Sequence, residues 1–317
     1  MIRKLFLESY SSLKDIFLFT SNYHKVPTSF LFNKLPYQNL RILIDIFLTK
    51  KYQKKLIKII PEEKKKLFNS GREDGIILNL NFFSDDEIKK LKLICNSLID
   101  NYKIHNLIID NGGLGKNSES SSKYYYLPKF TKKLTGKVQD LYNFLYSKQD
   151  LLLQLKFLSG LDLKKDKISI HISKVKGELL SDDWHSDCFS HTAKSFLYLH
   201  NVEKNNSPFC FLKKSHANKK LKILKEKENA SNILDINLDK SKDGNEIWNK
   251  LEESNFKKEI LEKFEPLECT YPKGTLITCD TSGFHKKGFS DGTEERFMIG
   301  FVSNRGTMFE KFKSAFF

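Results

Sequence analysis

The sequence has little that would span a membrane, staple a fold or cage a structural metal. Its best apolar run, residues 42–48, is broken by Asp45 and falls far short of the ~20 residues that cross a bilayer. The N-terminus is basic, but Glu8, Lys14 and Asp15 interrupt any apolar stretch of the kind a secretory leader carries. Cysteines number only five (Cys95, Cys188, Cys210, Cys269 and Cys279), scattered and without a C-x-x-C pair. Such spacing indicates neither a disulfide framework nor a structural zinc site, so a reducing cytoplasm is the expected compartment. Acids are in deficit as well: 39 Asp+Glu face 54 Lys+Arg, a formal net charge of +15. No internal repeat is present.

What is there suffices for a packed core. The 317 residues are 39% hydrophobic and 13% aromatic, with 26 phenylalanines, which excludes a wholly disordered chain. That length suits one large domain with an extension. Residues 1–70 carry 14 Lys+Arg against 5 Asp+Glu, so most of the net charge lies there. Within them, residues 40–60 mix apolar side chains with lysines and stop at Pro61, the pattern of a basic amphipathic helix. Such a helix could lie on an anionic membrane surface or on nucleic acid. It could equally pack its apolar face on the main domain and leave its lysines in water.

The character changes near residue 70. Residues 75–80 read as a short strand. Ser84 and Glu87 then form a capping-box pair, and Ile88, Leu91, Cys95 and Leu98 follow at helical spacing, predicting a helix to about residue 101. Residues 110–123 are rich in Gly, Ser and Asn and are expected to be a mobile loop, while 137–154 read as one helix. From residue 168 the pattern is β: 168–173, 195–200, 208–212, 274–279 and 296–302 are strand candidates, interrupted by a Lys/Glu-rich, helical insertion at about 217–265. The expected architecture is a mainly β domain with flanking helices (α+β), a sandwich or barrel over 71–317, preceded by a helical extension over 1–70.

Three features carry chemistry. In Trp184-His185-Ser186-Asp187 an imidazole and a carboxylate stand at i and i+2, which on a strand share one face. A second imidazole, His285, closes the run that begins at Asp280, and Arg296 opens the last strong strand eleven residues later. Two imidazoles and one carboxylate on one face of a metal suit non-haem Fe(II) and leave positions open. Those positions accommodate a chelating 2-oxo acid and O2, and an arginine fork can fix the far carboxylate of that acid. An H-x-D alone occurs often by chance. H-x-D, then His, then Arg, each at a strand edge, is far more specific.

On these residues the chain resembles the phytanoyl-CoA dioxygenase family of Fe(II)/2-oxoglutarate oxygenases, over roughly residues 70–306. Residues 75–88 resemble the family's opening strand and capped helix, 184–187 its first metal motif, 206–216 its turn-and-strand motif and 273–288 its closing metal motif. Ser207 stands where glycine is usual, and Lys213-Lys214 replace Pro-Gly, departures that touch loop shape. The resemblance implies a double-stranded β-helix (jelly-roll, cupin-like) core, with His185, Asp187 and His285 on Fe(II) and Arg296 on the 2-oxoglutarate C5 carboxylate. It implies hydroxylation of an unactivated C–H of a small organic substrate by O2, with decarboxylation of 2-oxoglutarate to succinate and CO2. Related halogenases have a small residue in place of the carboxylate, so Asp187 favours hydroxylation.

Other residues stay open between site and structure. His171 could touch the co-substrate or be a satisfied structural histidine. Lys194 and Tyr198 share a strand face expected to look into the site, with core packing as the alternative and as the expectation for Phe196. Tyr124, Tyr125 and Tyr126 could form a lid or anchor the adjoining loop, and Lys123 or Lys129 could approach the co-substrate. Cys188 and Cys279 are expected to be buried thiols, and His191, His200 and His216 surface or turn residues. Arg305 lies nine residues past Arg296, wider than the arginine pair of nucleic-acid demethylases, so no specific nucleic-acid partner is expected. The alternatives are an oxygenase acting on nucleic acid or protein, and an inactive jelly-roll interaction module. No motif names the substrate or the oligomeric state.

Overall fold

The alternation of side chains along the C-terminal half decides the architecture. The computed structural model describes residues 35–114, 121–131, 133–188, 190–224 and 257–317. The first part of the basic extension, residues 115–120 and most of the expected insertion therefore lie outside the described residues. Twelve strands are described: β1 (Ile76–Asn79), β2 (Ile108–Leu114), β3 (Ser121–Tyr126), β4 (Ile168–Lys176), β5 (Glu178–Leu179), β6 (Ala193–Tyr198), β7 (Phe209–Leu212), β8 (Pro266–Cys269), β9 (Leu276–Asp280), β10 (His285–Lys287), β11 (Ser290–Asp291) and β12 (Arg296–Ser303). The helices are α1 (Leu35–Ile57), α2 (Glu62–Asp74), α3 (Asp85–Asp100), α4 (Gly136–Tyr146), α5 (Gln149–Ser159), α6 (Lys257–Lys263) and α7 (Met308–Phe316).

Seven strands form one antiparallel sheet in the order β1-β9-β6-β12-β4-β3-β2, and β10-β7-β8 and β11-β5 form two small sheets. Period two gives the large sheet two apolar faces. Ile168, Ile170 and Ile172 of β4, Leu197 of β6 and Ile299 and Phe301 of β12 join one core with Leu151, Leu155 and Leu158 of α5. Phe196, Tyr198, Cys279 and Met298 point the other way and meet Phe209 and Phe211 of β7. Two sheets closing on an inner core, with helices on the outside, make the expected double-stranded β-helix. Ser84 caps α3 through both halves of the capping box.

Two local expectations are corrected. Most of the stretch expected to be a mobile loop is instead β2 and the start of β3, paired from Ile108↔Tyr126 to Leu114↔Ser121, with a register shift between Asn111 and Leu114. Pairing along β4 overrides the glycine and serine composition, because β3 gains a full ladder there. The single helix expected over 137–154 is two, α4 and α5, separated where Lys148 turns extended (φ −86°, ψ 97°). The break lets Leu151, Leu155 and Leu158 reach the sheet. The basic helix α1 packs on the domain: Ile42, Leu48, Tyr52 and Leu56 join the outer core while Lys50, Lys54 and Lys55 are exposed.

Two positions at which the resemblance leads one to expect glycine fall at left-handed backbone, with Ser207 at φ 50° and Lys214 at φ 66°. The chain keeps a glycine conformation without the glycine, at a cost of about 1 kcal/mol per site. Lys214 is exposed. Lys214→Gly is therefore expected to raise unfolding stability by about 1 kcal/mol, read as a higher denaturant midpoint at unchanged slope.

Candidate metal centre

The two motif histidines meet because their backbones pair. His185 N–H donates to His285 O at 3.0 Å, and His285 N–H donates to His185 O at 2.8 Å. Asp187 N–H donates to Thr281 O at 2.9 Å, pinning the whole H-x-D segment along residues 281–285. The imidazole centroids are 4.4 Å apart. One donor atom each from His185, Asp187 and His285 lies within 4.8 Å of the others, the arrangement of a metal-ligand set.

The hydrogen bonds around the rings settle which nitrogens remain available. His185 Nδ1 donates to Asp183 O at 2.9 Å and His285 Nδ1 to Gly283 O at 3.0 Å. Both assignments follow from a carbonyl's inability to donate. Nε2 is therefore the nitrogen of each ring that the backbone leaves unengaged, and His285 Nε2 is buried without a hydrogen-bond partner. Burial, reinforced by His185, pushes the His285 imidazole down to about 3, so the ring is neutral. Burial works against a charge on Asp187, but the Lys194 ammonium outweighs it and holds the carboxyl well below its usual range. Lys194 Nζ sits 2.9 Å and 3.1 Å from the two carboxylate oxygens. Two imidazole nitrogens and one carboxylate fit ferrous iron.

Arg296 opens β12 and is almost fully buried. Its Nη1 donates to Ser207 O, and its Nε has no partner. Further along the same ladder, Gly300 faces His171 of β4. Only glycine fits there, because a Cβ would fall on the His171 ring. Tyr124 and Tyr126 flank that ring, each with centroids 5.3 Å away. These tyrosines lie in strand β3, with Tyr125 in the outer core and its two neighbours on the inner face. Burial, then Lys194 and Arg296, push His171 down to about 3, and its Nδ1 is unpartnered, as is Ser173 Oγ one face-step along β4. Lys123 and Lys129 are exposed, and Lys123 shares the outer face of β3 with Tyr125, away from His171. Tyr198 donates its hydroxyl to Cys269 O at 3.0 Å and accepts from Phe209 N at 3.2 Å, which commits it to tying the two sheets together.

Four residues behind the centre were not legible as partners in the sequence. His191, expected at the surface or a turn, is buried, with its Nδ1 on the Asp280 carboxylate. The reason is Asp45 of α1, which accepts from Ser190 Oγ at 2.8 Å and His191 N at 2.9 Å and pairs with Lys311 of α7. Lys311 also donates to His191 O at 2.9 Å. Arg305 donates from Nη2 to Asp187 O at 3.0 Å and so braces the ligand's backbone. The one sequence signal was Asp45 itself, a charge inside the best apolar run. His216, also buried, faces Arg72 O at 3.2 Å, and all five cysteines are buried thiols.

No protein-family model and no curated protein matches the chain. Solved structures do. The epimerase SnoN, solved with Fe3+, alpha ketoglutarate and nogalamycin RO, superposes with a TM-score of 0.51 at 12% identity, over 77% of this chain and 85% of that one. The non-heme alpha ketoglutarate dependent carbocyclase SnoK gives 0.51 at 12% identity, over 79% and 87%. EctD from S. alaskensis, in its apoform, gives 0.50 at 15% identity, over 77% of each chain. Likenesses at this identity establish a shared fold, one that in SnoN holds Fe3+ and alpha ketoglutarate.

Proposed function

We propose that the chain is an Fe(II)/2-oxoglutarate-dependent oxygenase of the phytanoyl-CoA dioxygenase type, which hydroxylates an unactivated C–H of a small organic substrate. The observation that carries the reading is the triad of His185 and His285 Nε2 with the Asp187 carboxylate, in a fold that also buries Arg296. Bound iron would supply O2 activation coupled to decarboxylation of 2-oxoglutarate to succinate and CO2.

The chain's own residues do the rest. His185 and His285 donate from Nδ1 to Asp183 O and Gly283 O, which fixes both rings with Nε2 as the ligating nitrogen, and His285, kept neutral by burial, has no proton to lose there. Asp187 is kept ionised by Lys194, which leaves its anionic oxygens ready for a cation. Arg296 keeps its charge in a buried setting and presents a planar fork to the distal carboxylate of the co-substrate. His171 Nδ1 and Ser173 Oγ offer further hydrogen-bonding groups along the same inner face. Phe196, Phe209 and Met298 keep water out. Neighbours on this scaffold include an epimerase and a carbocyclase, so outcome and substrate are set by site details and not by fold. The carboxylate at Asp187 keeps three protein ligands, which supports hydroxylation.

The test is succinate release from 2-oxoglutarate by iron-loaded protein, screened over a metabolite library. Substrate-dependent succinate and a product heavier by one oxygen are expected. Protein that binds iron but never turns over 2-oxoglutarate would favour the interaction-module reading. Arg296→Leu should raise the KM for 2-oxoglutarate about 30-fold or more, because a charge-assisted hydrogen-bond pair is lost, while iron binding to the triad persists.

A further inference from the structure

Two helices that the fold clamps together carry apolar stripes outside both cores. On α1, Leu40, Leu43 and Phe47 recur at i, i+3 and i+7, and Phe47 is 58% exposed. On α7, Phe309, Phe312 and Phe316 repeat that spacing, Phe309 is 73% exposed, and Phe317 follows. Such spacing places each trio on one face. The opposite faces are anchored, through Ile42, Asp45 and Leu48 on α1 and Lys311 and Ala315 on α7. Lys311 pairs with Asp45, and Lys51 Nζ lies 3.3 Å from the centroid of the Phe316 ring. The partners advance together along both helices, so α1 and α7 run side by side in one direction and the stripes adjoin.

The charge beside them is mostly positive: Asp162 and Asp166 are exposed near Lys55 and Lys313, among Lys156, Lys164 and Lys167. Every exposed ionised side chain on α1 is a lysine (Lys50, Lys54 and Lys55), Lys51 is half-buried, Lys58 follows the helix, and Lys313 is exposed on α7. Glu310, the one exposed acid on α7, is engaged in the cap with Thr307. No helix among the described residues is long and apolar enough to cross a membrane.

We propose that this face docks the protein on an anionic lipid bilayer, with the aromatic stripes entering the headgroup region and the lysines pairing with headgroup anions. Adjoining apolar stripes edged by lysine are what an interfacial helix pair presents to such a surface. A second copy of this chain fits less well, because a two-fold axis would set the lysines against one another. The docking face is independent of the oxygenase reading.

The experiment sediments the full chain with vesicles of phosphatidylcholine alone or mixed with phosphatidylserine. At least about tenfold more protein should bind the mixed vesicles, and added salt should weaken it. Phe47→Ser with Phe309→Ser should cut binding at least about tenfold with an unchanged melting curve. Lys50→Gln with Lys54→Gln should narrow the difference between the two vesicle types. Should the Phe variants melt early, Phe309→Trp replaces them, and its emission should shift to the blue on mixed vesicles. Wild type that stays in the supernatant with both vesicles overturns the proposal, as does an emission that does not move. Self-association that Phe309→Ser abolishes, without vesicle binding, overturns it in favour of a second copy.

Discussion

His285→Ala will abolish tight ferrous binding and reduce substrate-dependent succinate formation by more than about 100-fold. Loss of a residue that merely orients a metal ligand costs about 10- to 100-fold, and His285 would be a ligand itself. The structure adds a reason of its own: His285 Nε2 is buried without a hydrogen-bond partner, and ligation would recover its desolvation. Iron titration of the apoprotein and a succinate assay read the two losses separately. His200 is the control, since its ring is half-buried and its Nδ1 only donates to Glu295 O at 3.0 Å. His200→Ala should leave turnover within about twofold. Equal activity in the His285 variant would remove the metal centre from the account.

Lys311→Met will destabilise the fold by about 3–5 kcal/mol, because it leaves the buried Asp45 carboxylate without its principal cation. A large drop in the denaturant midpoint is the expected readout. The double variant Asp45→Asn/Lys311→Met should recover much of the loss, since an amide oxygen at the Oδ2 position still accepts from His191 N and the amide NH2 at the Oδ1 position can donate to Ser190 Oγ. The pH dependence follows from the direction of the shift. Burial opposes the charge on Asp45, yet Lys311 and then His191 outweigh it and lower its folded value. The pair's contribution is therefore fully present at neutral pH and lost as pH falls below about 4, through the depressed folded value. The cost of Lys311→Met should accordingly shrink in acid. A constant cost across that range would mean that the pair stabilises nothing.

Much of this could be read beforehand because its signals are local. Period-two runs such as 168–173 need only their own residues to show two faces, and Ser84 with Glu87 announces a helix start within a single turn. The inverse case is β2 and β3, where Asn111, Gly112 and Gly113 suggest a loop until β2 pairs with β3, itself laddered on β4, a pairing that composition cannot foresee. The break between α4 and α5 is similar: nothing in 137–154 interrupts helical propensity, and only the need to seat Leu151, Leu155 and Leu158 on the sheet decides it. His191 looked like a turn residue because its partners lie 89 and 146 positions away, at Asp280 and Asp45.

The order of side chains by itself determined the β-rich core, the two-imidazole and carboxylate motif and the place of Arg296, since each follows from residue type and short spacing. Tertiary structure alone decided which imidazole nitrogens stay available, that Lys194 closes on Asp187, and that α1 and α7 meet over a buried ion pair behind the centre. The reason is physical. Periodicity and motif spacing are properties of neighbours along the chain, whereas desolvation and charge pairing depend on distances that only the closed fold creates.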